Sequence, residues 1–442
     1  MLRSVLLKQL ARSFLSGEPT VEQIVARASR TLGKSRRWLK PVAKRYVRHF
    51  SGRTRPRLRE IVEFIDNDPT FQRIWLKRSR GLRIATWITE PQKMQPVKAV
   101  EGWGLPAIES VGALSEWLVV GVTELEWFAD LKGLTHCHPS EQVSHYHYRI
   151  LNKQSGIRLI EAPKRRLKEL QTQVLARILD LVPSHPAVHG FVKGRSIKSV
   201  AQLHAGQRVI LRMDLQDFFP SFPARRIQTM FRALGYPEPV ADLLGGICTN
   251  FAPRGLWTRE NLSSISWEDR LHARDLYCRP HLPQGAPTSP ALANICAFRL
   301  DCRLAGLARS CGATYTRYAD DIAFSGDRTF ERSIERFSTH VAAILMEEGF
   351  TVNHRKTRIM RQGVRQHIVG LVANERPNII RADFDRLKAT LTNCIRSGPE
   401  SQNREAHPHF RLHLEGRVGF VETINAAKGQ RLSKLFDQIS WA

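Results

Sequence analysis

TYTRYADDIAFSG, residues 314–326, sets two β-prone runs on either side of Tyr318-Ala319-Asp320-Asp321, the pattern of a hairpin with acids at its tip. Aspartate tolerates turn geometry, so an Asp-Asp pair can be purely structural. Two adjacent acids between apolar strands also make a hard-oxygen site for Mg²⁺. Upstream, RVILRMDLQDFFPSF (208–222) carries Val209, Ile210 and Leu211 directly into Asp214, with Asp217, Phe218 and Phe219 following. An ionised carboxylate at the end of an apolar strand is costly unless it is paired or bound to metal. A third segment, HLPQGAPTSPALANICAFRLD (281–301), reads as a turn at Leu282-Pro283-Gln284-Gly285. Ser289 suits a helix N-cap and Pro290 the first helical position, which puts Gln284 on a rigid loop. If Asp214 lies beside the hairpin tip, the three acids can hold two ions about 4 Å apart, the arrangement for in-line phosphoryl transfer.

The charge balance points the same way. Among 442 residues, 68 Lys and Arg face 41 Asp and Glu, a formal +27. That surplus repels itself in a compact body unless a polyanion shares the surface. Nucleic acid is the expected partner, ahead of an anionic membrane surface. No run reaches eighteen uninterrupted apolar residues, so no transmembrane helix is expected. Seven scattered cysteines with no C-x-x-C suit reduced thiols in a cytosol rather than a disulfide framework or a zinc ribbon.

Residues 1–60 hold sixteen Lys and Arg against Glu18, Glu22 and Glu60, a net +13. The opening MLRSVLLKQLARSFLS has the flavour of a mitochondrial presequence, but the basic, helix-like pattern continues past residue 30 and favours a structural domain. A helix is expected over 20–32, with Thr20 as N-cap and Gly33 as stop. A second is expected from about Ser35, presenting Trp38, Leu39, Val42 and Val47. The pair reads as a helix-turn-helix or as a generic helical hairpin. Further helices are predicted over 61–75 and, with Trp117, Leu118, Leu125 and Phe128 inward, over 113–131. His136, Cys137, His138, His145 and His147 crowd together, but their spacing matches no usual zinc site, and a polar loop is the expectation. The chain is thereby divided into a basic helical extension (1–75), a helical connector (76–143), an α+β body (144–380) and a helical end (381–442).

Taken together and in this order, the three segments resemble those of reverse transcriptases, most closely the bacterial retron type. The resemblance spans about 145–442 and takes in RLIEAPKRRLK (158–168), HGFVKGRSI (189–197), GFTVNHRKTRI (349–359) and GRVGFVETIN (416–425). It implies an α+β right-hand polymerase, with fingers, a palm built on a ferredoxin-like sheet and a helical thumb. It implies that Asp214, Asp320 and Asp321 bind two Mg²⁺ ions, with Mn²⁺ as a substitute, and that Lys356 protonates departing pyrophosphate. Phe219 falls where an aromatic lies beneath the sugar and selects dNTPs, and Gln284 where the incoming sugar and base are met. Arg158 and one of Lys164, Arg165 and Arg166, with Arg166 a candidate, would grip the triphosphate. Lys193 and Arg195 would meet template phosphate or the nucleotide.

A retron enzyme implies as partners a structured noncoding RNA, its DNA product, dNTPs, a host RNase H and an effector protein encoded nearby. It also implies a branched RNA–DNA product and antiphage defence. Two retron hallmarks differ. Val200-Ala201-Gln202-Leu203-His204 keeps the Ala and His of Asn-Ala-x-x-His but not the Asn, and Ile368-Val369-Gly370 stands for Val-Thr-Gly. These departures bear on priming from a 2′-OH and leave the polymerase untouched. The alternatives are a defence or group II-like reverse transcriptase with another priming mode, and a non-catalytic nucleic-acid scaffold. The sixty residues after 381 suit a thumb, without room for a maturase, endonuclease or RNase H domain.

Overall fold

A computed structural model describes residues 2–78, 81–137, 143–152, 156–257 and 265–441. It is 53% helix and 11% strand, the α+β mixture expected. The chain forms two compact units, Met1–Pro183 with Phe219–Cys296, and Ser184–Phe218 with Ala297–Ala442.

The first unit opens with five helices: α1 (Arg3–Leu15), α2 (Val21–Thr31), α3 (Leu39–Phe50), α4 (Leu58–Asp66) and α5 (Pro69–Arg78). They enclose their own apolar core, including Leu6, Leu10, Phe14, Ile24, Leu39, Val42, Ile61 and Phe71. Thr20 caps α2 by accepting from the Gln23 N–H, and Gly33 follows that helix with a left-handed φ of 66°. The helix expected over 61–75 is instead two. Pro69 has no N–H to continue α4, and Asp68 accepts from the N–H groups of Thr70 and Phe71, capping α5. The helix expected over 113–131 is also two, Val111–Leu118 and Val122–Ala129, because Val119 turns left-handed at φ 57°.

Later in the same unit, strands β1 (Tyr146–Asn152) and β2 (Ile157–Pro163) form an antiparallel ribbon. The loop at Gln284 lies against this ribbon, where the Glu161 N–H donates to the Gln284 carbonyl at 2.9 Å. Gly285 has φ +139°, and a Cβ there would meet the Glu161 carbonyl oxygen at 2.7 Å, so only glycine fits. The following helix is Ser289–Cys296. Ser289 is its first residue rather than its cap, and its hydroxyl donates to the Pro283 carbonyl at 2.6 Å. Of the His/Cys crowd, His138 and the side chains of His136 and Cys137 lie outside the described residues. His145 is buried with Nε2 2.9 Å from the Trp127 carbonyl. The six described cysteines are free.

The second unit contains a five-stranded antiparallel sheet: β3 (Val209–Gln216), β4 (Thr314–Tyr318), β5 (Asp321–Gly326), β6 (Thr351–Val352) and β7 (Arg358–Arg361). The order β4-β5-β3-β6, with helices Phe298–Ser310 before β4 and Arg328–Glu347 before β6, is the ferredoxin-like β-α-β-β-α-β arrangement. β7 pairs with the first half of β3. A short ribbon of β8 (His367–Ile368) and β9 (Leu371–Val372) precedes helices Arg381–Ser397, Phe410–Ile424 and Ala426–Phe436. These helices share one core with the sheet, in which Ile210, Ala323 and Met360 join Leu387, Leu391, Leu414 and Val418.

Helix Ile197–His204 is tied to the sheet by a polar contact. His204 is fully buried, with Nδ1 2.6 Å from the Ser325 hydroxyl and Nε2 2.7 Å from that of Thr316. A neutral imidazole satisfies both, donating at one nitrogen and accepting at the other. Burial pushes its pKa down to about 3. The unfolded chain takes up this proton as pH falls below about 6.5, while the folded chain resists until about 3. Stability should therefore decline as pH drops through that window. Denaturant titrations at pH 7, 5 and 4 should show the decline, and His204→Gln should flatten it.

Candidate active site

The site grows from strand periodicity. In the β3–β5 register Asp214 lies directly opposite Asp321, which brings their Cβ atoms within about 4.5–5.5 Å. Asp320 is the last residue of the turn, and its carbonyl accepts from the Leu215 N–H at 2.9 Å. All three acids thus gather where β3 ends and the β4–β5 hairpin turns. Lys356, in the turn after β6, reaches them as well, with Nζ 3.0 and 3.1 Å from the two Asp214 oxygens. Asn353 donates its side-chain N–H to Asp214 Oδ1 at 3.1 Å and its backbone N–H to the Asp214 carbonyl at 2.8 Å.

Two residues here were absent from the sequence reading. Asn353 is one. The other is Arg212, which forks onto Asp321 through two 2.6 Å bonds, one to each oxygen. Its signal was available: Arg212 stands two residues before Asp214 on a strand, so both side chains leave the same face. The site is electrostatically crowded. Burial, and then the Asp214 charge, raise the Asp320 carboxyl above its ordinary value.

The hairpin itself is braced from behind. Arg317 and Asp301 are both fully buried and joined by two 2.7 Å bonds. The Tyr315 hydroxyl donates to the same Asp301 at 2.7 Å. Arg317 also donates to the carbonyl of Ala319 at 3.2 Å, the turn residue that adopts a left-handed φ of 54°. Gly190 lies against this turn. A Cβ there would stand 2.6 Å from the Ala319 nitrogen and 3.1 Å from the Tyr318 carbonyl carbon.

The other sequence candidates are placed individually. Phe219 is half-buried at the start of the returning segment of the first unit, and Gln284 is half-buried beside β2. Arg158 lies on β2 opposite Leu151. Arg166 is exposed and bridges Glu124 at 3.2 Å and Glu169 at 3.5 Å. Lys193 is exposed. Arg195 is occupied within the protein, since its Nη1 donates to the carbonyls of Pro186 at 2.7 Å, His185 at 3.3 Å and Val188.

Three carboxylates at one sheet end offer the hard oxygens a divalent cation takes, but among the described residues their present rotamers do not converge into a metal-holding group. As the side chains stand, Asp321 is turned onto Arg212 and Asp214 onto Lys356, so internal cations balance the acids.

The family model described as reverse transcriptase (RNA-dependent DNA polymerase) matches residues 150–379. Retron Mx65 reverse transcriptase of Myxococcus xanthus is 37% identical over 367 residues, 81% of this chain and 80% of its own. Retron Mx162 reverse transcriptase of the same organism is 33% identical, over 74% of this chain and 66% of its own. Retron Ec86 reverse transcriptase of Escherichia coli is 32% identical, over 62% and 74%. The sheet topology and the matched family define the class as a right-hand RNA-directed DNA polymerase. Within that class, the chain belongs to the retron-type reverse transcriptases.

The Gly190 contact makes a specific demand on catalysis. Gly190→Ala should push the turn that carries Asp320, and a shift of about 1 Å in a catalytic group costs on the order of 100-fold. Steady-state dNTP incorporation should fall by that order, and because the clash is with backbone the melting temperature should fall as well.

Proposed function

We propose that this enzyme binds a structured noncoding RNA, primes on it and copies part of it into DNA, yielding a branched RNA–DNA molecule that serves antiphage defence. The reading is carried by similarity to retron reverse transcriptases over most of the chain, joined to three acids at one sheet end. Among the described residues no helix is long and apolar enough to cross a membrane, which accords with work in the bacterial cytoplasm. A host RNase H and an effector protein encoded nearby complete the proposed system. A second reading, a related defence reverse transcriptase that primes differently, is favoured by Val200 and Val369, which stand where retron enzymes carry Asn and Thr.

In this mechanism Asp214, Asp320 and Asp321 hold two Mg²⁺ ions, for which Mn²⁺ can substitute. Such ions, when bound, activate the attacking hydroxyl and steady the leaving oxygen. Asn353 fixes the rotamer of Asp214, and Arg212 fixes that of Asp321. Lys356 Nζ carries the proton destined for pyrophosphate, kept near Asp214 by their 3.0 Å ion pair. Arg158 and Arg166 meet the triphosphate, Gln284 the sugar and base, and Lys193 and Arg195 the template phosphates. Phe219 presents a ring that collides with a 2′-OH and so selects dNTPs.

Asp320→Ala and Asp321→Ala should each cut Mg²⁺-dependent dNTP incorporation on an RNA template by at least about 100-fold, with RNA binding retained. Full activity in either variant sinks the carboxylate assignment. Phe219→Ala should erode discrimination against rNTPs by about tenfold or more, read as the ratio of kcat/KM values for dNTP and rNTP. An unchanged ratio removes Phe219 from sugar selection.

A further inference from the structure

We propose that the solvent face of α3, formed by Lys40, Lys44 and Arg48 and continued by Lys34 and Arg37, docks the phosphate backbone of a base-paired RNA stem. The inference rests on the reading that the enzyme works on a structured RNA, and it names the surface in the basic extension that meets it.

No acidic residue occurs between Glu22 and Glu60, an interval holding thirteen Lys and Arg. The structure sorts these cations into two groups. Arg27 and Arg55 are buried and donate to backbone carbonyls of Ser13, Glu18 and Leu15. Arg30 pairs with Glu90, Arg45 with Asp68, and Arg57 with Glu238 and Asp242, while Arg36 donates to the Gly81 carbonyl. Lys34, Arg37, Lys40, Lys44, Arg48, Arg53 and Arg59 have no such side-chain partner among the described residues, and all seven are exposed, the first five on α3 or just before it.

Their placement is ordered. Lys40, Lys44 and Arg48 follow one another at i, i+4 and i+8, steps of about 6 Å along the helix. They stand opposite the buried face of Leu39, Val42, Ala43 and Tyr46. Like charges at i, i+4 destabilise a helix by a few tenths of a kcal/mol per pair, and no acid here relieves them. A polyanion would.

The chemistry of the face narrows the ligand. Trp38 and Tyr46 are in the core, so the face offers no aromatic platform on which unpaired bases could stack. Arg37, Lys40, Pro41, Lys44, Arg45 and Arg48 include no Asn or Gln to read adenine edges. The face is suited to positioning on phosphates, and any base reading it does is restricted to guanine edges met by its Arg and Lys. Positioning on phosphates is how A-form stems, whose deep major groove side chains cannot read, are recognised.

The test uses the full-length protein and a fluorescent synthetic RNA hairpin, with anisotropy followed across a KCl series. Lys40→Gln/Lys44→Gln/Arg48→Gln should lower the slope of log K against log salt by about 2 to 3 and weaken low-salt binding at least about tenfold. Lys8→Gln/Arg73→Gln/Lys77→Gln removes equal charge from α1 and α5 and should leave the slope alone. An unchanged slope in the α3 variant, an equal loss in the α1/α5 variant, or a loss confined to a matching DNA hairpin would each overturn the proposal. A charge-conserving Lys40→Arg/Lys44→Arg/Arg48→Lys variant should bind as the wild type does, which separates charge from any structural effect. The polymerase reading is tested separately, since Asp320→Ala reports on incorporation whatever α3 does.

Discussion

The carboxylate-bearing hairpin stands on the buried ion pair between Arg317 and Asp301. Neither side chain is exposed at all, and a charge so buried costs several kcal/mol unless it is paired and its hydrogen-bonding capacity is met. Here Asp301 accepts two bonds from the guanidinium and one from Tyr315. Arg317 spends a further donor on the Ala319 carbonyl and lies 5.6 Å from the Phe218 ring centroid. Its backbone is held too, with its N–H donating to Ala187 and its carbonyl accepting from His189. The left-handed residue of the turn is thus fixed from within, and Asp320 and Asp321 follow it. Losing one partner would leave the other charged and alone in the core, a penalty of about 3–5 kcal/mol, so the brace and the site rise or fall together.

This dependence explains what the sequence disclosed and what it concealed. The apolar run into Asp214 and the hairpin around Asp320 and Asp321 follow from local patterning and were legible, while the ferredoxin-like sheet was implied by the family resemblance. Arg212 was legible in principle from its i−2 position. Asp301 and Gly190 were not, because their meaning lies in contacts made far along the chain. Asp301 reads as an ordinary acid in a helix, and Gly190 as one glycine in a loop, until β4 is laid beside them. The break at Val119 was hidden for a related reason, since amphipathic spacing continues across it while one residue turns left-handed. The break before Pro69 was legible from the proline itself.

The cations obey a similar division. A net +27 suggests one broad polyanion-binding surface, yet many arginines are internal fasteners. Arg27, Arg55 and Arg232 donate to backbone carbonyls from buried positions. Arg299 and Arg303 converge on the buried Glu348. Arg195, a phosphate candidate by sequence, spends one nitrogen on loop carbonyls. Counting Lys and Arg therefore overstates the charge free for a ligand, and the free fraction is found by subtraction. The ion pairs and carbonyl bonds must be removed before a binding face becomes visible.

The same subtraction applied to the acids leads to a constraint on catalysis. Three carboxylates at one sheet end repel one another, and Asp320 is raised above its ordinary value first by burial and then by the Asp214 charge. Arg212 and Lys356 offset that repulsion from within the fold, one by a two-bond fork on Asp321 and the other by a 3.0 Å pair with Asp214. For Asp321 to give both oxygens to a divalent ion, its carboxylate would have to leave the Arg212 fork. Asp214 is constrained less, because Lys356 is a flexible point charge that can swing aside, and the lysine side chain is more than half exposed. The two acids are therefore unequal despite their shared register. Were a divalent ion bound here, Asp214 would be the readier ligand and Asp321 would be held until that cation competed with Arg212 for it.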